Sequence, residues 1–113
     1  SNYEISEDGS MISTNNDIKN TEIIVGGRKF SNFSIEEKEG SSTIKVDIEN
    51  ISEEDLSSDT FSFKLFDAEN NLIVEYSMLA TDLKVGSKTT AMTSIVKSCI
   101  NTARIEVSLI SAE

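Results

Sequence analysis

Two acidic stretches carry the residue types that bind calcium: Glu53, Glu54, Asp55 and Asp59 crowd one, and Asp67, Glu69, Asn70 and Asn71 the other. Carboxylate and amide oxygens are the donors a hard cation takes, but calcium needs about six to eight of them, and neither stretch has the D-x-[DN]-x-[DN]-G spacing. Solvated loops of an acidic chain are the plainer reading, with no metal assigned. Paired carboxylates for glycoside hydrolysis would have to face each other across a groove, and the chain has no Trp to stack a sugar ring. Cys99 follows Lys97-Ser98, and a nearby ammonium lowers a thiol pKa. A nucleophilic Cys also needs a base, and there is no His, so Cys99 reads as a small, semi-buried hydrophobe. Ser and Thr are abundant, yet no G-x-S-x-G elbow occurs. Gly26-Gly27-Arg28-Lys29 lacks a P-loop or dinucleotide fingerprint and reads as a turn with solvated cations. Asn32-Phe33-Ser34 and Asn50-Ile51-Ser52 satisfy N-x-[ST], a pattern that arises often by chance.

No nucleophile, base and orienting group can be assembled from these residues, so the expectation is a protein that is not an enzyme, with no catalytic, cofactor-binding or metal-ligating residue and no cofactor. The 113 residues fit one domain, and no apolar run approaches a membrane span. Ten Lys and Arg against twenty Asp and Glu leave a net charge of -10, which opposes nucleic acid and anionic membrane surfaces as partners. A single Cys makes no internal bridge and leaves the compartment open. The chain opens Ser1-Asn2 without an initiator Met or an apolar h-region. A mature or excised form is therefore expected, with Ser1-Asn2 as a cloning scar and any signal segment upstream.

The elements that would position these residues are short strands. Residues 1–20 are rich in Ser, Asn, Asp and Glu, their apolar residues hold no steady period, and they read as a flexible arm or tether. From Thr21 the texture changes. Glu22-Ile23-Ile24-Val25 is a first strand ended by Gly26-Gly27, and Lys29 to Ile35 a second, with Phe33 and Ile35 on one face before a charged turn over 36–40. In Thr43 to Asn50, Ile44, Val46 and Ile48 share one face and Lys45, Asp47 and Glu49 the other. An acidic loop over 51–59 leads to Thr60 to Asp67, with Phe61, Phe63 and Leu65 inward and Phe66 out of pattern. Ala68 to Asn71 should turn the chain into Leu72 to Leu79 as a hairpin, with Asp67 accepting bonds from the turn backbone. After the connection Leu83 to Gly86 come a Thr-rich strand, Thr89 to Val96, and a last strand, Ala103 to Ile110. The expected core is Phe33, Ile35, Ile44, Val46, Ile48, Phe61, Phe63, Leu65, Leu72, Val74, Ile105, Val107 and Leu109.

About seven strands at intervals of roughly ten residues, with no amphipathic helix to serve as a crossover, predict an all-β fold of two packed antiparallel sheets. Three segments then resemble a known family. Asp47-Ile48-Glu49-Asn50-Ile51-Ser52 is similar to the strand and Asn-x-Ser corner of bacterial FxLYD-type immunoglobulin-like domains. Phe63-Lys64-Leu65-Phe66-Asp67 resembles their naming motif with Phe66 where Tyr is usual, and Leu83-Lys84-Val85-Gly86 resembles their Leu-x-Pro-Gly corner with Val85 in place of Pro. The resemblance covers about residues 41–110 and implies an immunoglobulin-like sandwich in a secreted protein or lipoprotein, without catalysis.

The expectation is therefore a flexible arm over 1–20 and an immunoglobulin-like domain over 21–113. Its function would be that of a non-catalytic interaction or structural module, extracellular or anchored to the cell envelope, with another protein at the cell surface as partner and the oligomeric state open. The Thr-rich segment 88–94 is a candidate for edge-strand pairing, because it is polar, lightly charged and unbroken by Pro, and it fits an interior strand equally well. The alternative is a ligand-binding or protease-inhibitor sandwich acting through loops 36–41, 67–71 and 97–102 at one end.

Overall fold

The computed structural model describes residues 2–5 and 11–110. Among them are nine strands and no helix: β1 (Asn2–Ile5), β2 (Met11–Asn15), β3 (Ile23–Val25), β4 (Arg28–Lys38), β5 (Ser41–Asn50), β6 (Asp59–Phe66), β7 (Leu72–Ala80), β8 (Lys88–Ile95) and β9 (Arg104–Ile110). One sheet runs β1-β2-β4-β5-β8 with β3 also paired to β4, the other runs β7-β6-β9, and every pairing is antiparallel. The chain is an all-β, two-sheet antiparallel sandwich. It crosses between the sheets after β5, β7 and β8.

Alternation builds the inner faces. Ile44, Val46 and Ile48 of β5 and Phe61, Phe63 and Leu65 of β6 are all buried, as the period of two requires. The link across the sandwich is Phe30 of β4, whose ring meets Phe61 edge-on at 5.1 Å and Phe63 at 5.7 Å. Strict alternation from Phe33 puts Phe30 on the wrong face, yet both are buried. The reason is a bulge between Ser31 and Ser34, where Asn32 takes a φ of 54° and one extra residue resets the phase.

A second irregularity corrects the predicted core. Leu65 pairs with Val74 but Phe66 with Leu72, so Ile73 is the extra residue and Leu72 falls out of phase, 52% exposed. Val74 and Val107 are half-buried, and Leu109 is exposed near the end of β9, beside the Gly26 turn. Ile18, Phe30, Ala80, Leu83 and Cys99 join the core instead.

Tight turns fix the register. Gly26 and Gly27 both have positive φ, which a two-residue hairpin between Val25 and Arg28 needs. The charged segment 36–40 is a turn only at Glu39-Gly40, where both φ values are positive and Lys38 pairs with Ser41.

The flexible arm expected over 1–20 does not hold for residues 11–20. β2 pairs through Ser13, Thr14 and Asn15 with Glu37, Glu36 and Ile35, and the turn after it carries Ile18 into the core with no exposed surface. Backbone pairing needs no apolar period, so a polar segment can join a sheet unannounced. Residues 2–5 form β1 on the far side of β2. Residues 1, 6–10 and 111–113 lie outside the described residues.

Candidate functional site

Several side chains of the acidic stretches close turns. The Asp67 carboxylate accepts from the backbone N–H of Glu69 and of Asn71, each at 2.9 Å, and from Asn71 Nδ2 at 3.3 Å, closing the β6–β7 turn. The bonds from Asn71 and Glu69 hold its carboxyl below the usual carboxylate range. Asn70, at φ 68°, accepts through Oδ1 from Arg104 Nη2 at 2.5 Å, and the Arg104 guanidinium lies 4.0 Å above the Phe66 ring and pairs with Glu106. Phe66 thus faces outward under a cation.

The other acidic loop is tied to the β7–β8 connection. Leu56 and Leu83 exchange backbone bonds of 2.9 Å, Asp55 Oδ1 accepts from the Val85 N–H at 3.0 Å, and Ser58 Oγ donates to Asp82 at 2.9 Å. Asn50, buried at the corner, accepts from the Ser52 backbone and hydroxyl and donates through Nδ2 to the carbonyls of Glu54 and Leu83. Its triplet is a corner, and Gly86, at φ 74°, completes the neighbouring turn.

Arg28 departs from expectation. It is not a solvated cation: its side chain is fully buried, donating from Nη1 to Asp59 Oδ2 at 2.9 Å and from Nη2 to the carbonyls of Ser57 and Thr81. Cys99 is also fully buried, and burial pushes its thiol pKa up, with Lys97 only a lesser opposing influence.

Of the three loops expected to cluster, two share a cleft and the third, 36–41, touches 97–102 through Glu37 and Ser98. Residues 67–69 and 100–103 line an open cleft of about 500 Å³ together with Asn15 and Asp17. Asn15, buried, holds the far wall by donating to the carbonyls of Ile100 and Thr102, a role that a lone Asn in a polar stretch does not advertise. The β4–β5 hairpin supports 97–99 through Glu37 and Ser42 without lining the cleft.

The sheet edges differ in protection. β7 is bulged at Ile73, carries Glu75, and the Ile73 carbonyl accepts from Lys97 Nζ at 2.5 Å. β9 carries Arg104 and Glu106 and has β3 beside it. β8 is the end strand of its sheet, pairs with β5 in unbroken register from Lys88 to Ile95, and has one charge, Lys88, at its start. Among the described residues nothing pairs its other side. Met92 on its outward face is 63% exposed, and Val96 just beyond it 94%. The strand is anchored behind by Asp47 of β5, which accepts from Thr90 Oγ1 and Asn32 Nδ2, each at 2.7 Å, and lies 3.7 Å from Lys88 Nζ. The Asn32 bond is the first cause of a lowered Asp47 pKa, reinforced by Thr90 and Lys88. The Thr-rich, Pro-free run fits an edge or an interior strand alike in the sequence, and the exposed pair Met92 and Val96 has no signal there.

No family model matches the chain, and no curated protein matches it. A solved structure of a DUF1425 family member from Shewanella is similar over all of this chain and 98% of its own, at 12% identity and a TM-score of 0.47.

Proposed function

We propose that the chain is a non-catalytic interaction or structural module of a secreted or surface-anchored bacterial protein, of the immunoglobulin-like kind to which FxLYD domains belong. The observation that carries this reading is the β8 edge, regular, uncovered among the described residues and almost uncharged. An open strand edge offers backbone donors and acceptors to an extended segment of another protein. The side chains with chemical potential are engaged elsewhere: Asp67 and Asn50 close turns, Arg28 is enclosed, and Cys99 lies in the core. The resembling segments support the FxLYD reading by forming a corner at Asn50 to Ser52, burying Phe63 and Leu65 in the core and turning at the positive φ of Gly86.

The test is capture from culture supernatant and envelope extract on immobilised protein, with a Met92→Lys, Val96→Lys variant in parallel. A partner retained by the parent and lost by the variant is the expected result, since edge lysines oppose strand addition. A partner retained equally by both would move the working surface away from β8. The cleft between 67–69 and 100–103 supports the second reading, a ligand-binding or inhibitor sandwich, and Glu69→Lys would then be the variant that loses the partner.

A further inference from the structure

We propose that β8 pairs antiparallel with the β8 of a second copy of this chain, about a twofold axis at Met92, joining two sheets into one. This rests on the reading of β8 as the binding edge and names its occupant. Natural sheets blunt their edges with charge, Pro, bulges or short length. β8 is eight residues long with none of these beyond Lys88 at its first position.

Its sequence can pair with itself without a clash of charge. Folded back about Met92, Lys88 opposes Val96, Thr89 opposes Ile95, Thr90 opposes Ser94 and Ala91 opposes Thr93. No like charges meet, which antiparallel cross-strand pairs require. Met92, 63% exposed, would cover its own copy, and Val96, 94% exposed, would lie against the aliphatic stem of Lys88. The twofold makes both contacts isologous.

Net charge separates this occupant from others. Each copy carries -10, so the copies repel at long range and added salt must strengthen the dimer by screening. A basic partner segment on the same edge would instead be released by salt.

Sedimentation equilibrium over a range of protein and salt concentrations reads both. The expected result is a monomer–dimer equilibrium that shifts to dimer with salt, disappears in Met92→Lys with the monomer melting temperature unchanged, and persists in Leu79→Lys on β7. In oxidised Met92→Cys the two copies should link covalently, whereas Ser94→Cys should not, because position 94 would face position 90 and lie out of reach of itself. A monomer under all conditions, a dimer indifferent to Met92→Lys, or equal linking by both cysteines would overturn the pairing. If the chain is monomeric but Met92→Lys still loses a captured partner, self-pairing fails and the module reading stands; if neither assay responds to the edge, both fail.

Discussion

Arg28 and Asp59 join the two sheets by a pair whose cation is sealed from solvent: Arg28 Nη1 lies 2.9 Å from Asp59 Oδ2, with the Arg28 side chain 0% and the Asp59 side chain 24% exposed. The guanidinium also sits 5.4 Å from the centre of the Phe61 ring, and its Nε has no hydrogen-bond partner among the described residues. A buried charge that loses its counterion costs more than the pair contributed. Asp59→Ala should therefore destabilise by about 3 kcal/mol in urea denaturation, and Arg28→Met combined with it should recover part of that loss. Losses that simply add would show the two residues to be uncoupled.

Phe63 is fully buried, meets Phe30 edge-on and stacks on Tyr76 at 5.2 Å. Truncating it leaves a cavity at the centre of the sandwich, so Phe63→Ala should cost roughly 3 to 5 kcal/mol. Leu72, displaced outward by the bulge at Ile73, should tolerate Ala within about 0.5 kcal/mol. The same urea melts measure both, and comparable losses would contradict the register of β7.

Two glycines with similar φ differ in what a side chain would meet. At Gly27, φ 79°, a Cβ would come 3.3 Å from Ser52 Cβ and 3.4 Å from a Leu56 methyl; at Gly40, φ 80°, it would meet nothing within 4 Å among the described residues. Left-handed backbone costs a non-glycine residue about 1 kcal/mol or more at either site. Gly27→Ala should lower stability further than Gly40→Ala, and Gly40→Asn should cost least because Asn tolerates this conformation. Equal thermal shifts for the two Ala variants would remove the contact with Ser52 and Leu56 from the explanation.

The parts of the fold legible in the sequence are those that obey one period. Ile44, Val46 and Ile48, and Phe61, Phe63 and Leu65, alternate without interruption and are buried as read. The expected core omits Phe30 and includes Leu72 because each lies across a bulge, and a one-residue phase change leaves no trace in composition. Ile18 was missed because one apolar residue after a polar strand has no period at all. Arg28 read as solvated since its partners, Ser57, Asp59 and Thr81, are 29, 31 and 53 residues away. Of the candidate sites, the Thr-rich run marks β8 as an edge candidate but does not separate it from an interior strand, which the sheet order decides, and the cleft depends on Asn15 reaching the carbonyls of Ile100 and Thr102, a contact set by topology.

Cys99 has no exposed surface, and its thiol pKa is raised chiefly by burial. Only the thiolate reacts, so native protein should modify slowly with a disulfide reagent despite Lys97 nearby. The rate should rise along the urea unfolding transition and match the unfolded population. Fast reaction in the absence of denaturant would mean that the 97–102 segment opens independently of the core.

Asp47 gives the sandwich a pH dependence whose sign follows from its bonds. Asn32 first, then Thr90 and Lys88, favour its charged form, so its folded pKa lies below the unfolded value near 3.8. A carboxylate with a depressed folded pKa adds stability that is fully present above the unfolded pKa and is lost as pH falls through the folded one. Lys88 is half-exposed at 3.7 Å, so the two hydrogen bonds should outweigh the ion pair and the effect should survive salt. Asp47→Asn should lower the melting temperature at neutral pH, and the difference from the parent should shrink below pH 3.8. Melting curves taken from neutral pH into the acid range measure it. A difference that stays constant over that range would mean that Asp47 contributes through shape alone, and that β8 is held to β5 by its backbone ladder without help from this charge.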